Sequence, residues 1–515
     1  MIETMKRWQI FTPHQIAALL LLSLALLMVR MAEFSYSGAG LHMDEAQYWV
    51  WSLDLQWGYF SKPPVLIAII KASTTLFGDS LLGVKALTMV CWVVCSWVLG
   101  WIGYRLAGPR TAVFAGGLFA ATVLSGLLGL SVTTDGPLSM FWVITMATIW
   151  LAAHTEGPKA YVWWVACGLS FGLTVLSKYS GLALGLSAVW LLVAAPAAHR
   201  QKILIGGLVA TFAALAVLTP HLLWNATNHW PTAQHTLDIT VRESGSTVAN
   251  GVGGWRRVIE SVLEFSLGQV LILGPAAWIV YALTRKTSVQ NHTPQNNSHL
   301  WSLTSFALAF SVPILSLGLI QAISSKAFVN WSAPMALGVC LWLAWRADQA
   351  ILSVKRVALA CLVGFVFSGA VATGGDLKTW FGMQPPPDAT KWELWSRMRG
   401  WHDALQALNP TLTPYRELPW ITTDRNTLVQ STYELRHLKP RLFMWAPTGG
   451  IHHHFDWKQP WPMNSDAPAV IWLDRETPPE QLLSRYPFAQ KLDVASSAHV
   501  TLQAWLLQSQ RPAKP

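Results

Sequence analysis

Long apolar runs separated by short polar segments occupy the first three quarters of the chain. A run of about 18 or more apolar residues is long enough to cross the hydrocarbon core of a bilayer as a helix. The pattern predicts eleven such helices, near 14–32, 84–104, 111–131, 136–153, 160–177, 179–198, 203–220, 263–284, 300–323, 327–345 and 357–374. The first run follows a short basic start and lacks a small-residue cleavage site, so we expect a retained anchor. The predicted fold class is therefore an α-helical polytopic membrane protein.

The pattern changes after residue 375. The segments "LPWITT", "RLFMWAP", "AVIWLDR" and "HVTLQAWLL" are strand-like, whereas "KWELWSRMRGWHDALQAL" and "RNTLVQSTYELRHL" have helical periodicity. Acidic residues follow the same division, with 13 Asp and Glu in residues 1–375 and 13 in the shorter stretch 376–515. We predict a membrane domain over 1–375 and, after a "QPPPD" linker, a small α/β domain over 376–515. Its tryptophans pack in a core, stack on sugars or rest on lipid headgroups, and its suggested role is acceptor binding or site shielding.

Lysine and arginine set the expected orientation, because short cytoplasmic loops are enriched in them. With the N-terminus inside, every cytoplasmic loop or helix end carries a base: Lys6, Arg7, Arg105, Arg110, Lys159, Arg200, Lys202, Arg285, Lys286, Arg346, Lys355 and Arg356. An odd number of spans then places residues 376–515 on the outer side, together with the loops 33–83 and 220–262.

A second group of bases opposes this rule, since it falls at the outer face. Its members are Lys62, Lys178, Arg242, Arg256, Arg257 and Lys326. One interpretation is ordinary ion pairing or snorkelling at helix ends. The other is a cluster that binds an anion at the outer leaflet, which the nearby carboxylates favour.

Three carboxylates belong to the same outer face. Asp44 and Glu45 begin an aromatic segment suited to a helix in the membrane interface, and Asp135 precedes Gly136 and Pro137 at the start of a span. Helix capping explains Asp44 and Asp135 equally well when each is taken alone. If the loops converge, however, these carboxylates face Lys62, Lys178 and Lys326, an arrangement that fits a phosphate-containing ligand and acid/base chemistry.

Two lysines are placed to present a point charge to a phosphate oxygen. In "FSKPPV", Pro63 disfavours helical geometry at Lys62, which directs the ammonium group away from a helix face. In "LSKYSG", Lys178 lies at a break between two predicted spans.

Composition supports the membrane assignment and excludes other classes. The chain is 52% hydrophobic and 12% charged, with 30 tryptophans, which favour the membrane–water interface. The five cysteines lie in apolar runs without disulfide or metal spacing, so packing is the simplest account of them. The net charge of +10 comes without a basic stripe interleaved with aromatics, so no nucleic-acid partner is expected.

No certain cofactor follows from the residues, and a divalent metal is left open. His42 and His221 with Glu45 are the candidate ligands, although histidines in such loops commonly serve as plain polar residues. The run His452–His453–His454 has no partner spacing that supports a metal site.

Several stretches together resemble the dolichyl-phosphate-mannose–protein mannosyltransferase-like superfamily of membrane glycosyltransferases with the GT-C fold. They are "HMDEAQYWVWSLDLQWGYFSKPPV", "VTTDGPLSMFW", "LSKYSGLAL", "NATNHWPTAQHT", "LEFSLGQVLILGP", "KAFVNWSAPMAL" and "FDWKQPWP". The resemblance covers nearly the whole chain and is strongest to the bacterial branch that contains lipid A aminoarabinose transferases.

The resemblance implies transfer of a sugar from polyprenyl (undecaprenyl) phosphate to a hydroxyl of an envelope acceptor, at the periplasmic face of the inner membrane. Asp44 matches the proposed general base and Lys62 the lysine that contacts the lipid phosphate. Asp135 and Lys178 match a second acid and a lysine near the donor. Arg242, Arg256 and Arg257 compete for a basic position in the middle loop, and Lys326 is a further phosphate candidate.

Four more residues complete the candidate site. Tyr48, Tyr59 and Asn330 lie in the matching motifs and are taken as substrate contacts. Glu45 is grouped with Asp44 and Asp135 as a catalytic candidate, either as a metal ligand or as a support for Asp44. A single displacement at the anomeric carbon would invert its configuration.

Three other functions remain possible from the sequence. The same fold supports protein O-glycosylation. A transporter or flippase for a lipid-linked sugar also needs many spans and anion-binding bases, but it should carry charges near the bilayer midplane, where no predicted span has Asp or Glu. A non-catalytic glycan receptor would leave the charged cluster unexplained.

Overall fold

Amphipathic and fully apolar helices fold into a bundle that carries a small α/β domain at one end. The computed structural model describes residues 25, 27–32, 34, 39–238, 254–285, 300–373, 381–383, 394–447, 450–465, 467–498 and 500–510. The predicted boundary at residue 375 lies outside these residues.

The bundle contains helices of very different length. They are α1 Met43–Ser52, α2 Val65–Phe77, α3 Leu81–Ala107, α4 Pro109–Ala120, α5 Val123–Leu128, α6 Asp135–His154, α7 Lys159–Ser177, α8 Leu184–Ala194, α9 Ala197–Thr227, α10 Pro231–Leu237, α11 Gly254–Thr284, α12 Leu303–Ala309, α13 Val312–Ser324, α14 Met335–Gln349 and α15 Val354–Ala372. Short 3₁₀ helices at Tyr179–Ala183 and Val329–Ser332 interrupt them.

Within the described residues, seven helical segments are long and apolar enough to cross a membrane. They are α3, α6, α7, α9, most of α11, the α12–α13 pair and α15. This is a membrane protein, as the apolar pattern predicts. The first predicted span, 14–32, falls largely outside the described residues, and each of the other ten coincides with a helix or a pair of helices.

Several predicted spans are broken or bent, and each break coincides with a local feature of the sequence: a capping residue, a proline or a glycine. The 111–131 run divides into α4 and α5 because the Thr122 side chain accepts a hydrogen bond from the amide of Ser125 and so begins a new helix. The 300–323 run also divides, without a side-chain cap, and Pro313 lies in the first turn of α13. Helix α11 bends at Gly274, whose φ of 73° lies in the left-handed region.

The C-terminal part is an α/β domain, as predicted. Its strands are β1 Pro419–Thr422, β2 Arg441–Met444, β3 Ala469–Asp474, β4 Phe488–Ser497 and β5 Val500–Gln508, and its helices are α16 Trp401–Leu412, α17 Arg425–Glu434, α18 His454–Lys458 and α19 Glu480–Arg485. Further 3₁₀ turns lie at Ser396–Met398, Thr413–Tyr415 and Arg436–Leu438. The sheet order is β2-β1-β3-β5-β4, with β1 parallel to β2 and β3, and β5 antiparallel to β3 and β4.

The α/β domain shares a core with the segment that links the first spans of the bundle. The Trp49 ring of α1 meets the Tyr433 ring of α17 edge-on at 5.0 Å, and His454 of α18 lies 4.9 Å from the Trp51 ring. The Gln430 amide donates to the Leu41 carbonyl at 2.8 Å. These contacts hold the loops at the carboxyl ends of β1 and β2 directly against α1, where the candidate site begins.

Candidate active site

Asp44 lies in the first turn of α1 with its carboxylate partly open. The cap of this helix is His42, whose Nδ1 accepts from the Asp44 amide at 3.3 Å, while the His42 amide donates to Glu45 at 2.9 Å. Capping by Asp44, the simpler interpretation of the sequence, is therefore wrong. The Asp44 side chain is 44% exposed, and its charged neighbours are Arg425 at 3.5 Å and His42 at 3.9 Å.

Asp135 is buried and connects two other segments. Its Oδ1 accepts from Lys178 Nζ at 2.8 Å, and its Oδ2 accepts from Asn330 Nδ2 at 2.7 Å. Its side chain makes no cap bond to the helix. Asp135 thus joins the start of α6, the end of α7 and the 3₁₀ turn Val329–Ser332 at one point.

Lys178 lies at a break in the bundle, as its motif predicts. The residue is the C-cap of α7 in an extended conformation, with φ −161° and ψ 137°, and the 3₁₀ helix Tyr179–Ala183 begins directly after it. This geometry turns the side chain back onto Asp135. The lysine is only 17% exposed, so its charge acts at the mouth of the bundle and is weakly screened.

Lys62 lies just before α2, outside any helix. Within the described residues its ammonium group makes no hydrogen bond or ion pair. Burial, with Lys178 nearby, lowers the pKa of Lys62 below its ordinary value of 10.5, and Asp44 and Asp135 act in the opposite direction. The same charges reach Tyr48, where burial and then Asp44 raise the pKa. Lys62 therefore lies within electrostatic reach of Lys178 and of both carboxylates.

Arg425 is a site residue that the sequence did not single out. It begins α17, and its Nη2 lies 3.5 Å from Asp44 Oδ1 while its Nη1 donates to Gln47 at 3.1 Å. The segment was recognised as helical, but nothing in the pattern indicates contact with a residue 378 positions earlier.

Glu45 has surroundings unlike those of Asp44. Its carboxylate is buried and accepts from Lys85 Nζ at 2.7 and 2.8 Å and from the Val132 amide at 2.5 Å. The Lys85 ammonium also donates to the Leu130 carbonyl at 3.0 Å. A carboxylate engaged in this way is not free to take a proton from an acceptor or to hold a metal ion, so the catalytic and metal roles expected for Glu45 give way to support of α1.

His221 is likewise engaged on both ring nitrogens. Nδ1 lies 2.6 Å from the Trp57 carbonyl and Nε2 lies 2.7 Å from the Tyr179 hydroxyl. Because a carbonyl only accepts, Nδ1 carries the hydrogen and Nε2 accepts from Tyr179. This bridge ties the first loop to the residue after Lys178. Among the residues that the structure describes, no three His, Cys, Asp or Glu side chains form a metal-binding group.

The remaining candidates have different positions. Tyr59 is buried, stacks on Trp51 at 4.9 Å and donates to the Asp54 carbonyl at 3.1 Å. Arg256 is exposed and pairs with Glu260 one turn later at 2.8 Å. Arg257 and Lys326 are also exposed. The structure joins none of these three bases to Asp135 or Asp44, and Arg242 lies outside the described residues.

The site therefore gathers three cations and two carboxylates at one end of the bundle. They are Lys62, Lys178 and Arg425, with Asp44 and Asp135. The cluster therefore has one positive charge in excess. Arg425 comes from the α/β domain and the other four residues come from the bundle. Such a cluster can bind a monoanionic phosphodiester and offers a partly exposed carboxylate as a base.

Solved structures have the same architecture. ArnT from Cupriavidus metallidurans in the apo state matches with a TM-score of 0.64 at 14% identity, covering 96% of this chain and 98% of that one. The same protein bound to undecaprenyl phosphate matches with a TM-score of 0.63 at 15% identity and the same coverage. This is the GT-C fold. The sequence-based prediction of the fold class is confirmed over nearly the whole chain.

Sequence comparisons agree with the resemblance carried by the motifs. The family model of dolichyl-phosphate-mannose-protein mannosyltransferase matches residues 61–224. The lipid A galacturonosyltransferase RgtD of Rhizobium johnstonii is 26% identical over 444 residues, 84% of this chain and 85% of that protein. The undecaprenyl phosphate-alpha-4-amino-4-deoxy-L-arabinose arabinosyl transferase of an Enterobacter species is 26% identical over 190 residues, 36% of this chain and 34% of that protein. The expected similarity to the lipid A branch is confirmed.

Proposed function

We propose that this protein is an inverting glycosyltransferase that moves a sugar from undecaprenyl phosphate to a hydroxyl of lipid A or a related envelope glycan. The observation that carries the proposal is the cluster of Asp44, Lys62, Asp135 and Lys178 at the mouth of a GT-C bundle. The relatives named above, a lipid A galacturonosyltransferase and an undecaprenyl-phosphate-dependent arabinosyl transferase, support this substrate class.

The chemistry requires a base and a stabilised leaving group. Asp44 takes the proton of the acceptor hydroxyl as the acceptor oxygen bonds to the anomeric carbon; a positioned carboxylate base contributes about 10²–10⁴-fold. The bond from that carbon to the phosphate oxygen breaks, and its electron pair leaves with undecaprenyl phosphate. One displacement at the anomeric carbon inverts its configuration.

The cations act on the departing phosphate. The donor is a phosphodiester with one negative charge, and the product is a monoester that carries up to two. Lys62 approaches the phosphate without a competing carboxylate bond, and Lys178 is held in place by Asp135. In a partly dry site such fixed charges stabilise the transition state more than they would in water.

The loop bases favour an inner-membrane protein whose active site and α/β domain face the periplasm. Undecaprenyl-linked sugars and lipid A meet at that face. Tyr48 lies beside the carboxylates, and we assign it, with Asn330, to shaping the pocket around the sugar.

The proposal is tested with purified protein reconstituted in lipid nanodiscs. Undecaprenyl-phosphate-linked galacturonic acid, aminoarabinose and neutral hexoses are offered with lipid A, and the products are identified by mass spectrometry. We expect lipid A to gain the mass of one sugar with one of these donors, in the inverted configuration by NMR. Absence of transfer from every donor, with lipid A and with protein acceptors, would reject the function. Transfer to protein acceptors alone would show instead that the protein catalyses protein O-glycosylation.

A further inference from the structure

Arg425 reaches the proposed active site from the α/β domain, and that domain fixes its position. The residue follows β1 and begins α17, where the Asp424 side chain accepts from the amides of Asn426 and Thr427, each at 3.1 Å. A helix whose first turn is capped in this way starts at a defined point. The Arg425 side chain therefore extends from a backbone position that is rigidly fixed.

Other contacts hold α17 and the segment before it against the bundle. Gln430, one and a half turns further along α17, donates to the Leu41 carbonyl at 2.8 Å, and the Gly40 amide donates to the Met398 carbonyl at 3.1 Å. The Tyr433 ring of the same helix packs on Trp49 of α1. Helix α17 is thus docked along α1, and Arg425 lies at the end nearest to Asp44.

The guanidinium lies across one face of α1. It donates to Gln47 Oε1 at 3.1 Å, lies 3.3 Å from the Met43 sulfur and 3.5 Å from Asp44 Oδ1. Residue 47 shares this face with residues 44 and 43, which precede it by three and four positions on the helix. The planar fork of arginine directs Nη1 toward Gln47 and Nη2 toward Asp44 in two fixed directions, which a single ammonium nitrogen does not reproduce.

The distance between the Arg425 guanidinium and the Asp44 carboxylate allows the arginine to orient the carboxylate without occupying it. At 3.5 Å the pair is longer than a good hydrogen bond, so the carboxylate is attracted without having its acceptor positions filled. This differs from Glu45, whose oxygens lie 2.5–2.9 Å from three donors. Asp44 keeps an oxygen for the proton of the acceptor.

We propose that Arg425 is a positioning residue through which the α/β domain completes the active site, by orienting the Asp44 carboxylate toward the acceptor hydroxyl. The inference rests on the proposed function. It gives the domain a direct part in the reaction, and it predicts that Arg425 affects the chemical step more than it affects binding of the lipid phosphate.

The test compares full-length variants in nanodiscs for kcat, donor KM and affinity for undecaprenyl phosphate. Arg425→Ala should lower kcat about 10- to 100-fold, as expected for misplacing a reacting group by about 1 Å, and should change undecaprenyl phosphate affinity by less than about twofold. Arg425→Lys should recover only part of kcat, since a single ammonium nitrogen does not reproduce the two fixed directions in which the guanidinium addresses Gln47 and Asp44. Arg416→Ala, which removes an exposed base of the same domain paired with Glu417, should behave as the wild type.

A double-variant cycle provides the second measurement. Gln47→Ala removes the side chain that accepts from Arg425 without replacing the arginine itself. If both residues act through the same contact, the effect of Gln47→Ala on kcat should not add to that of Arg425→Ala. A wild-type kcat in Arg425→Ala, additive effects in the cycle, or a loss of undecaprenyl phosphate affinity equal to the loss of kcat would overturn the inference. Failure of the proposed function is distinct, because the wild-type protein would then transfer no sugar.

Discussion

Asp44 and Glu45 are neighbours in the chain, yet one turns toward the open mouth of the site and the other into the protein. The Asp44 carboxylate is 44% exposed, and that of Glu45 is 2% exposed. Helical geometry separates adjacent side chains by about 100°, which is enough to place one on each side of the interface. Glu45 therefore holds α1 on α3, and Asp44 is left accessible for the chemistry that the proposed function assigns to it.

This division predicts that two equivalent substitutions change the stability of the protein by very different amounts. Glu45→Gln leaves the buried Lys85 ammonium without its counter-charge and should lower the free energy of unfolding by about 3–5 kcal/mol. Asp44→Asn, at a partly exposed position, should change it by less than about 0.5 kcal/mol. Thermal unfolding in detergent micelles compares the two variants. Equal stability would mean that the Glu45–Lys85 pair does not secure α1.

Lys62 gives the site a pH dependence whose direction follows from its surroundings. Burial and Lys178 lower its pKa in the free protein, so the ammonium loses its proton at a lower pH than the ordinary 10.5. The neutral amine binds a phosphate anion poorly, so affinity for undecaprenyl phosphate should fall as pH rises through this lowered pKa. Loss of one charge-assisted hydrogen bond weakens binding about tenfold or more.

Lys62→Arg is the matched control for that titration, because arginine stays charged throughout the range. Its affinity for undecaprenyl phosphate should stay flat where that of the wild type falls. The account of Lys62 fails if the two proteins show the same pH profile between neutral pH and 10.5.

At the scale of elements, the site forms where helices begin, end or break. Asp135 is the first residue of α6, Lys178 directly follows α7 and Asn330 lies in a 3₁₀ turn. All three side chains therefore lie at the same end of the bundle, where Lys178 and Asn330 both contact Asp135. The turn carrying Asn330 is itself supported by α11, since Gln269 donates to the Val329 carbonyl at 2.9 Å. The kink at Gly274 positions that part of α11.

Gly274→Ala should therefore disturb both stability and the site. The added methyl group would occupy a left-handed position and meet a Val123 methyl at 2.8 Å. We expect a loss of about 1–3 kcal/mol in the free energy of unfolding. Gly185→Ala is the control, because a methyl group there meets no atom within 4 Å, and it should be neutral or stabilising by about 0.5–1 kcal/mol. Equal melting temperatures in detergent would contradict the role of the kink.

Periodicity and turn chemistry made most elements predictable, and their limits are visible in particular residues. The four strands with apolar alternation were recognised, whereas β4, "FAQKLDVASS", is an edge strand with mostly exposed side chains and gives no such signal. The partners of Glu45 and Asp44 were missed for a related reason. Lys85 lies 40 residues from Glu45 at the start of an apolar span, and Arg425 lies in another domain. Such contacts depend on how elements dock, which local pattern does not encode.

At the scale of the whole molecule, the GT-C bundle supplies the lysines and carboxylates, and the α/β domain lies against the helix that carries Asp44. The two parts are joined through α1, whose one side packs in the shared core and whose first turn carries Asp44. A lipid-linked donor can approach from the bilayer while the acceptor reaches the same carboxylate from the aqueous side. The arrangement fits the proposed transfer, in which donor and acceptor meet at Asp44.

The most direct measurement is single-turnover sugar transfer by Asp44→Asn in nanodiscs, with binding of undecaprenyl phosphate measured on the same sample. Asp54→Asn is the control, since Asp54 lies exposed just after α1 and, among the described residues, its carboxylate accepts a hydrogen bond from Gln56 alone. The account predicts that Asp44→Asn binds undecaprenyl phosphate normally and transfers at least about 100-fold more slowly, while Asp54→Asn transfers at the wild-type rate. Transfer by Asp44→Asn at the wild-type rate would contradict it.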